Sequence, residues 1–244
     1  MEKSFNTLGL QTLLGFPFKD KRGVSKFLIA ALFLIFSGFI VPALFLLGWY
    51  MRIAKNVMVT KTLGDLPEWD EWGHMILDGL KLVGVVLIYF LPVMVLFPIS
   101  LALGFIPVIG WISGGILSWL TYLFAMALTV FVIPAILNMI DKGSFGAAFH
   151  FKEWWENLKV NFAGYLVVYL IVAGVYALLA LILGVVFSTV ILLCLVPVVI
   201  IAVVLYISMI SYAVLGQVWV EGEEKLASAR VPVPTVPVKK VAAK

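Results

Sequence analysis

One stretch decides how this chain folds: residues 66–81, which read Leu-Pro-Glu-Trp-Asp-Glu-Trp-Gly-His-Met-Ile-Leu-Asp-Gly-Leu-Lys. Its large apolar residues recur at steps of three and four, which places them on one face of a helix: Trp69, Trp72, Ile76 and Leu80. Most of its charged residues fall on the other face. A helix of this kind lies flat at a membrane surface, with its tryptophans at the level of the lipid headgroups. We therefore predict an interfacial helix that opens a membrane-spanning block.

A second segment, residues 149–162, has the same design. Its aromatic and apolar residues keep the spacing of three and four, while lysines and glutamates occupy the other side. We predict a second interfacial helix here. The predicted headgroup anchors of the two segments are Trp69, Trp72, Trp154 and Trp155.

The composition places the chain in lipid. Of its 244 residues, 64% are hydrophobic and 12% are charged, and the mean hydropathy is +1.15. Soluble domains average about 25% charged residues, so this chain cannot cover its surface with polar groups. We expect one integral membrane domain over residues 1–222. An extended cytoplasmic tail is expected over residues 223–244, where prolines alternate with valines.

Two long uncharged runs follow the amphipathic segments: residues 82–140 and 162–220. About 20 apolar residues span a bilayer, so each run is long enough for two spans. Glycine and proline mark a turn near Gly104 in the first run, and another between Gly184 and Pro197 in the second. Each run is therefore predicted to form a helical hairpin.

A shorter uncharged run covers residues 27–51. Because Ser37-Gly38 and Pro42 interrupt it, it forms either a short or re-entrant hairpin or a single kinked span. Helical halves of about 12 residues reach only about 18 Å at 1.5 Å per residue, short of the ~30 Å hydrocarbon core. The length favours the single span, whereas the charge distribution favours the hairpin.

The predicted fold is an all-α polytopic membrane protein of three helical hairpins with interfacial amphipathic helices. The three blocks cover about residues 16–58, 66–142 and 149–220. Five spans with a kinked first helix is the alternative. Two blocks open with related pentapeptides, Phe-Pro-Phe-Lys-Asp from Phe16 and Phe-His-Phe-Lys-Glu from Phe149, so a degenerate triplication is one interpretation.

Three hairpins put every charge on one side of the membrane. All 17 lysines and arginines and all 13 acids then share that side, because the turns near Gly38, Gly104 and Gly184 carry none. Basic residues in short loops face the cytoplasm. We therefore expect a multi-pass protein of the cell (inner) membrane with both termini in the cytoplasm.

Two stripes of small residues run along the long spans. The first contains Gly110, Gly114 and Ser118, and the second contains Ala173, Ala177 and Gly184. Small residues let helices approach closely in lipid, where no hydrophobic force drives association. The favoured interpretation is that the two stripes pack against each other within the chain. A homo-oligomer interface is the alternative.

No Asp, Glu, Lys, Arg or His lies within residues 82–140 or 162–220. Such residues mark proton relays, ion-coupled transport and catalysis inside membranes, so we expect a protein that is not an enzyme and that carries no cofactor or metal ion. His74 and His150 are the only candidates for ligating a porphyrin or chlorin metal, and a solvated role is favoured for both. Tyr176 lies deep in a span, so its hydroxyl needs a partner. Packing is favoured for it over a polar pore lining.

Acidic residues cluster in and before the opening stretch, and the cluster has two interpretations. The four carboxylates suit calcium or magnesium, although their spacing is not that of an EF-hand: Asp65, Glu68, Asp70 and Glu71. A solvated helix face is favoured over a cation site.

Several segments of this chain resemble a known family. They are Leu66-Pro-Glu-Trp-Asp-Glu-Trp-Gly, Asp78-Gly-Leu-Lys, Tyr89-Phe-Leu-Pro, Pro17-Phe-Lys-Asp, Gly48-Trp-Tyr-Met-Arg and Gly143-Ser-Phe-Gly-Ala-Ala-Phe. Together they resemble bacterial and archaeal polytopic membrane proteins catalogued as a domain of unknown function, over about residues 15–220. The resemblance implies a prokaryotic inner-membrane protein and carries over no functional site.

Two functions from different classes agree with these patterns. The first is a non-catalytic scaffold or accessory subunit of a membrane assembly. The second is a channel or carrier for an uncharged or lipidic solute, acting alone or as a homo-oligomer. The expected partners are the lipid bilayer and either further copies of the chain or a larger membrane complex, and no nucleic acid.

Overall fold

The computed structural model describes residues 15–107, 109–187 and 196–230, which are all-α, with no strand among them. The seven helices of these ranges are α1 Gly23–Ile35, α2 Ile40–Thr60, α3 Trp72–Gly104, α4 Ile109–Lys142, α5 Phe151–Val160, α6 Phe162–Phe187 and α7 Val196–Arg230. Short 3₁₀ turns, Phe16–Phe18 and Phe145–Phe149, precede α1 and α5. The predicted all-α class is confirmed, whereas the arrangement in three hairpins stays a prediction.

Within the described residues, four helices are long and apolar enough to cross a membrane: α3, α4, α6 and α7. The chain is therefore a multi-pass membrane protein. The predicted turn near Gly104 is confirmed, because α3 ends at that residue and α4 begins at Ile109. Most of the second predicted turn, between Gly184 and Pro197, lies outside the described residues.

The first uncharged run forms two helices instead of one kinked helix. Helices α1 and α2 are separated by residues 36–39, where the Ser37 hydroxyl donates to the Leu34 carbonyl. The rings of Phe33 in α1 and Phe45 in α2 lie 5.3 Å apart, so the two helices fold back on each other. Helix α1 has 13 residues, a length of about 20 Å. The number of membrane crossings in this block stays a prediction.

The opening stretch does not form the predicted interfacial helix. Residues 63–71 have no helical structure, and α3 begins at Trp72 and continues unbroken to Gly104. The carbonyls of Leu66 and Pro67 accept hydrogen bonds from the side chains of Lys26 and Trp49. They are therefore unavailable to a helix, and the periodic spacing of the tryptophans does not reflect helical structure here.

Helix α7 also runs further than expected. Residues 223–230 belong to it instead of forming an extended tail. Ion pairs stabilise this end, since Glu221 lies 4.0 Å from Lys225 within the helix and Arg230 lies 3.0 Å from Glu156 of α5. The rest of the predicted tail, residues 231–244, lies outside the described residues.

Helix α2 is the centre of the bundle, with α3 and α7 packed against it. Its contact with α3 is made through glycine. A Cβ built on Gly48 would lie 2.0 Å from the Met75 carbonyl oxygen, and one on Gly79 would lie 2.0 Å from the Leu44 carbonyl oxygen. Neither position therefore accepts a side chain at this separation, and the two backbones touch directly.

The two predicted stripes do not pack against each other. Gly110 and Gly114 lie against the end of α3, where a Cβ on Gly114 would meet the Ser100 carbonyl at 2.9 Å, and Ser118 is half-buried. The second stripe, Ala173, Ala177 and Gly184, is exposed on α6. The physical reason is connectivity. Because a short turn joins α3 to α4, the small residues of α4 near that turn pack against the end of α3 and not against α6.

Candidate functional site

The charged end of the bundle holds the most elaborate side-chain arrangement in the described chain. Residues 63–71, which we call the strap, connect α2 to α3 and lie across the charged ends of α1 and α2. The strap contains the distinctive Leu-Pro-Glu-Trp-Asp-Glu segment. Its contacts show what these residues do.

Lys26 holds the strap to α1 and is only 4% exposed. Its Nζ lies 2.6 Å from Asp20 Oδ2 and 2.9 Å from Glu68 Oε1, and it donates to the Leu66 carbonyl at 2.6 Å. Arg22 adds a second cation, 3.4 Å from Glu68. A buried ammonium is tolerated only with such partners, so this ion pair ties the start of α1 to the strap.

The same contacts shift the pKa values of the pair. The hydrogen bond from Lys26 holds the pKa of Asp20 below its ordinary value, and the backbone N–H of Arg22 acts in the same direction. Burial opposes the charge on Lys26, but its hydrogen bonds to Asp20 and Glu68 outweigh burial and raise the pKa of Lys26. Both groups are therefore charged across the neutral range.

Trp69 is enclosed by protein. It is 9% exposed, its ring stacks on Trp49 at 4.9 Å and on Phe33 at 5.1 Å, and its Nε1 donates to the Lys26 carbonyl at 3.3 Å. Trp49 in turn donates to the Pro67 carbonyl at 3.1 Å. The prediction of a headgroup anchor is wrong for Trp69, because aromatic stacking and a buried indole hydrogen bond hold it inside the bundle.

The remaining strap residues reach α2. Arg52 forms ion pairs with Asp70 and Glu71. Trp72, the first residue of α3, packs edge-on against Phe45 at 5.3 Å and stays 43% exposed. The predicted acidic cluster is thus mostly an ion-pair partner of α1 and α2. The described residues contain no group of three or more His, Cys, Asp or Glu side chains arranged to hold a metal ion.

A second polar cluster joins α5 and α6 to α7. The buried Asn157 donates to the Trp219 carbonyl at 3.2 Å and to Glu223 at 2.9 Å, and accepts from the Tyr165 hydroxyl at 2.9 Å. Asn161 donates to the Val218 carbonyl at 2.9 Å. The two amides donate hydrogen bonds to backbone carbonyls of α7 at the point where α5, α6 and α7 meet. They therefore position the end of α7.

The second tryptophan segment forms the predicted helix, α5. Its tryptophans differ from the prediction, however, because Trp154 is 0% exposed and belongs to the core. The headgroup-anchor prediction is therefore wrong for Trp154. Trp155 is half-buried, with Phe151 stacked on it at 5.6 Å and Lys159 over its ring at 5.7 Å. The anchor role of Trp72 and Trp155 stays a prediction.

The two histidines lie on the surface of different elements. His74 is in the first turn of α3 and His150 precedes α5, and both side chains are mostly exposed. Each lies near a glutamate three residues away, at 3.8 Å from Glu71 and 3.6 Å from Glu153. The structure brings no other ligand-bearing side chain to either, so the solvated role remains the favoured one.

Tyr176 has the hydroxyl partner that its depth requires. Its hydroxyl lies 3.1 Å from that of Ser208 in α7. Nearby, the rings of Tyr50 and Tyr212 stack at 5.2 Å, and Tyr50 also interacts with the Ser208 hydroxyl. Hydroxyl groups from α2, α6 and α7 thus meet along the apolar helices, where Tyr176 is 38% exposed.

Several functional residues escaped the sequence analysis. Lys26 is a single cation at the edge of an uncharged run, and Trp49 lies within that run. Asn157 and Asn161 are four residues apart, which was a usable signal for a shared helix face. The partners of Lys26 lie 6 to 42 residues away in sequence, so periodicity alone does not reveal this site.

Comparison with known proteins identifies the family and nothing beyond it. No curated protein matches this chain, and no solved structure matches it. A family model described as "Protein of unknown function (DUF4013)" matches residues 31–188, well over half of the chain. This range contains the strap and helices α2 to α6. The chain belongs to the DUF4013 family of proteins of unknown function.

Proposed function

We propose that this protein is a non-catalytic scaffold or accessory subunit of a larger membrane assembly. The observation that carries the proposal is the strap. Four of its polar or aromatic side chains bind α1 and α2: Glu68, Trp69, Asp70 and Glu71. Their ion pairs and hydrogen bond hold the charged end in one geometry. A rigid docking surface requires such a fixed geometry.

A gentle purification from native membranes tests this proposal. A scaffold is expected to copurify with at least one other subunit at fixed stoichiometry, identified by mass spectrometry of the intact complex. The matched sample is the Glu68→Gln variant, which weakens the strap and should lower the recovery of that subunit. Recovery of the chain alone, from membranes solubilised under several mild conditions, would contradict the proposal.

The proposed orientation places the charged end in the cytoplasm of a prokaryotic cell. It is supported by the gathering of charges from all three blocks. Arg52 of α2 pairs with Asp70 of the strap, and Lys61, which follows α2, pairs with Glu224 of α7. Single cysteines at Gly38 and Gly104 should react with an impermeant reagent from outside the cell. Cysteines at Thr62 and Ser144 should react only after permeabilisation, and the reverse pattern would contradict the orientation.

A channel or carrier for an uncharged or lipidic solute is the second candidate. The hydroxyl groups of Tyr176 and Ser208 favour it, because they place hydrogen-bonding groups beside two apolar spans. Flux of a small polyol into proteoliposomes tests it. Transport by the native chain that falls in the Tyr176→Phe variant supports the carrier, and flux equal to that of empty liposomes contradicts it.

A further inference from the structure

A cleft opens at the charged end, beside the strap and separate from its buried ion pair. It is small, with a cavity volume of about 20 Å³, and it is open to solvent on one side. Three helices line it: α2 with Met51, Arg52 and Lys55, α3 with Asp78 and Lys81, and the end of α4 with Met139, Ile140 and Gly143. The cleft is therefore a junction of helices from the first two blocks.

The cleft carries an excess of positive charge. Arg52, Lys55 and Lys81 face a single acid, Asp78. Lys81 pairs with Asp78 at 2.9 Å, and Arg52 pairs with strap carboxylates outside the cleft lining. Among the described residues, no carboxylate forms an ion pair with Lys55, which is exposed. A lysine ammonium in this setting binds phosphate as a point charge.

The cleft lies at the boundary between the apolar and charged parts of the bundle. The uncharged runs end at Met51 in α2 and at Ile140 in α4, and one begins directly after Lys81 in α3. Met51, Met139 and Ile140 are buried at its base. In a bilayer this boundary is the level of the lipid phosphates, where basic side chains attract anionic lipids.

The opening of the cleft is formed by the chain reversal that follows α4. Gly143 adopts a left-handed conformation with a φ of 66°, and a Cβ built on it would meet nothing within 4 Å. A glycine at this helix end is the ordinary way to terminate a helix. Its lack of a side chain also leaves the mouth of the cleft free.

We propose that this cleft is a phosphate-binding site, with Lys55 and Lys81 as the principal ligands and Arg52 as the third cation. The phosphate belongs either to an anionic lipid headgroup in the adjacent leaflet or to a soluble phosphate compound. Asp78 opposes an anion and therefore sets the strength of binding. The site is independent of the scaffold proposal, because it requires only that the charged end lies at the membrane surface.

The experiment compares lysine variants inside and outside the cleft. The native chain, Lys55→Gln and Lys81→Gln are reconstituted in nanodiscs of phosphatidylcholine, with or without about one-fifth phosphatidylglycerol, and retained lipid is counted by native mass spectrometry. We expect about a fivefold loss of phosphatidylglycerol binding for each lysine, a size typical of one basic residue near an anionic surface. Lys152→Gln, an exposed lysine of α5 outside the cleft, is the matched control and should bind like the native chain.

Two further measurements sharpen the test. Asp78→Asn should tighten phosphatidylglycerol binding, because it removes the only negative charge of the cleft. Arg52 is left unchanged, since its loss would also release Asp70 and Glu71 of the strap. The thermal unfolding midpoint in neutral detergent, with and without inorganic phosphate, reports any soluble ligand.

Each outcome decides the proposal. Selective retention of phosphatidylglycerol without an effect of inorganic phosphate supports a lipid headgroup site, and stabilisation by inorganic phosphate that is lost in Lys55→Gln supports a soluble phosphate compound. Equal phosphatidylglycerol binding by Lys55→Gln, Lys152→Gln and the native chain, together with equal stabilisation of all three by inorganic phosphate, would overturn the site. A lower midpoint of Lys55→Gln in detergent without any phosphate would show that Lys55 stabilises the folded chain itself, and this too would overturn it.

Discussion

The two tryptophan-rich segments of this chain have similar sequences and different structures. Residues 66–72 carry two tryptophans three apart, and all but Trp72 lie in the non-helical strap, whereas residues 151–160 carry adjacent tryptophans and form helix α5. In the strap, the carbonyls of Leu66 and Pro67 accept hydrogen bonds from distant side chains. In α5 the side chains of Trp154 and Asn157 dock on neighbouring helices while the backbone remains helical. Periodic spacing of tryptophans is therefore compatible with a helix or with a non-helical segment. The hydrogen-bond partners of the backbone groups determine which of the two forms.

The largest effect is expected from removing the cation that holds the strap. Lys26→Met would leave Asp20 and Glu68 without their buried partner, and breaking a buried ion pair costs about 3–5 kcal/mol. The free energy of unfolding in mixed detergent micelles measures this cost. Lys19→Met, which changes an exposed lysine nearby, should be close to neutral. Equal effects of the two variants would mean that the strap does not depend on Lys26.

The α5 segment should respond to the loss of an amide instead. Asn157→Ala removes hydrogen bonds to the Trp219 carbonyl, Glu223 and Tyr165, and leaves buried groups unpaired at a cost of about 1–3 kcal/mol. The same unfolding measurement reports it, with the exposed Asn56→Ala as control. An unchanged free energy of unfolding would show that the α5 segment is held by apolar packing alone.

A smaller difference in stability is expected between variants of Trp69, which lies in the strap, and of Trp72, which begins α3. Trp69→Phe keeps an aromatic ring but loses the indole hydrogen bond to the Lys26 carbonyl, so we expect a loss of about 1 kcal/mol. Trp72→Phe should cost less, because Trp72 is more exposed than Trp69. Thermal unfolding midpoints rank the two variants. A larger decrease of the unfolding midpoint for Trp72→Phe than for Trp69→Phe would show that Trp72, and not Trp69, holds this segment in place.

The smallest effect is the response of the strap to acid. The pKa of Asp20 is lowered in the folded chain, so its contribution to stability is present above its ordinary pKa of 3.8 and is lost as the pH falls through the folded value. The raised pKa of Lys26 places its own loss above pH 10.5. Near-ultraviolet circular dichroism should therefore stay constant at neutral pH and change only in strong acid or above pH 10.5. A spectral change in acid that persists in the Lys26→Met variant would arise from groups other than the Asp20–Lys26 pair.

Much of the fold could be predicted from residue patterns. The uncharged runs at 82–140 and 162–220 indicate spans because burying their side chains in lipid is favourable wherever they occur in the chain. The break near Ser37 and the turn near Gly104 were visible for similar local reasons. The strap was not, since Lys26, Trp49 and Arg52 reach it from helices that sequence spacing does not bring together. The Gly48 and Gly79 contact between α2 and α3 escaped notice for the same reason.

The candidate site was likewise predicted only in part from the sequence. The sequence identified the segment from Leu66 to Trp72 as distinctive but interpreted its acids as a solvated face. All four acids of the predicted cluster are exposed, as the sequence indicated. The ion pairs of Glu68, Asp70 and Glu71 with α1 and α2 were not predicted, because an ion pair depends on where the opposite charge lies. The cleft of Lys55 and Lys81 was likewise invisible, since its two lysines lie on different helices.

The sequence by itself determined that this is an all-α membrane protein with its charges outside the long apolar runs. Hydrophobicity and charge act through the solvent, and each residue carries them whatever its neighbours are. Only the tertiary structure decided that the strap is extended, that Trp69 and Trp154 are buried, and that the small residues of α4 meet α3. Those outcomes depend on which donors, acceptors and surfaces come within contact distance, and the folded arrangement of the helices alone settles this.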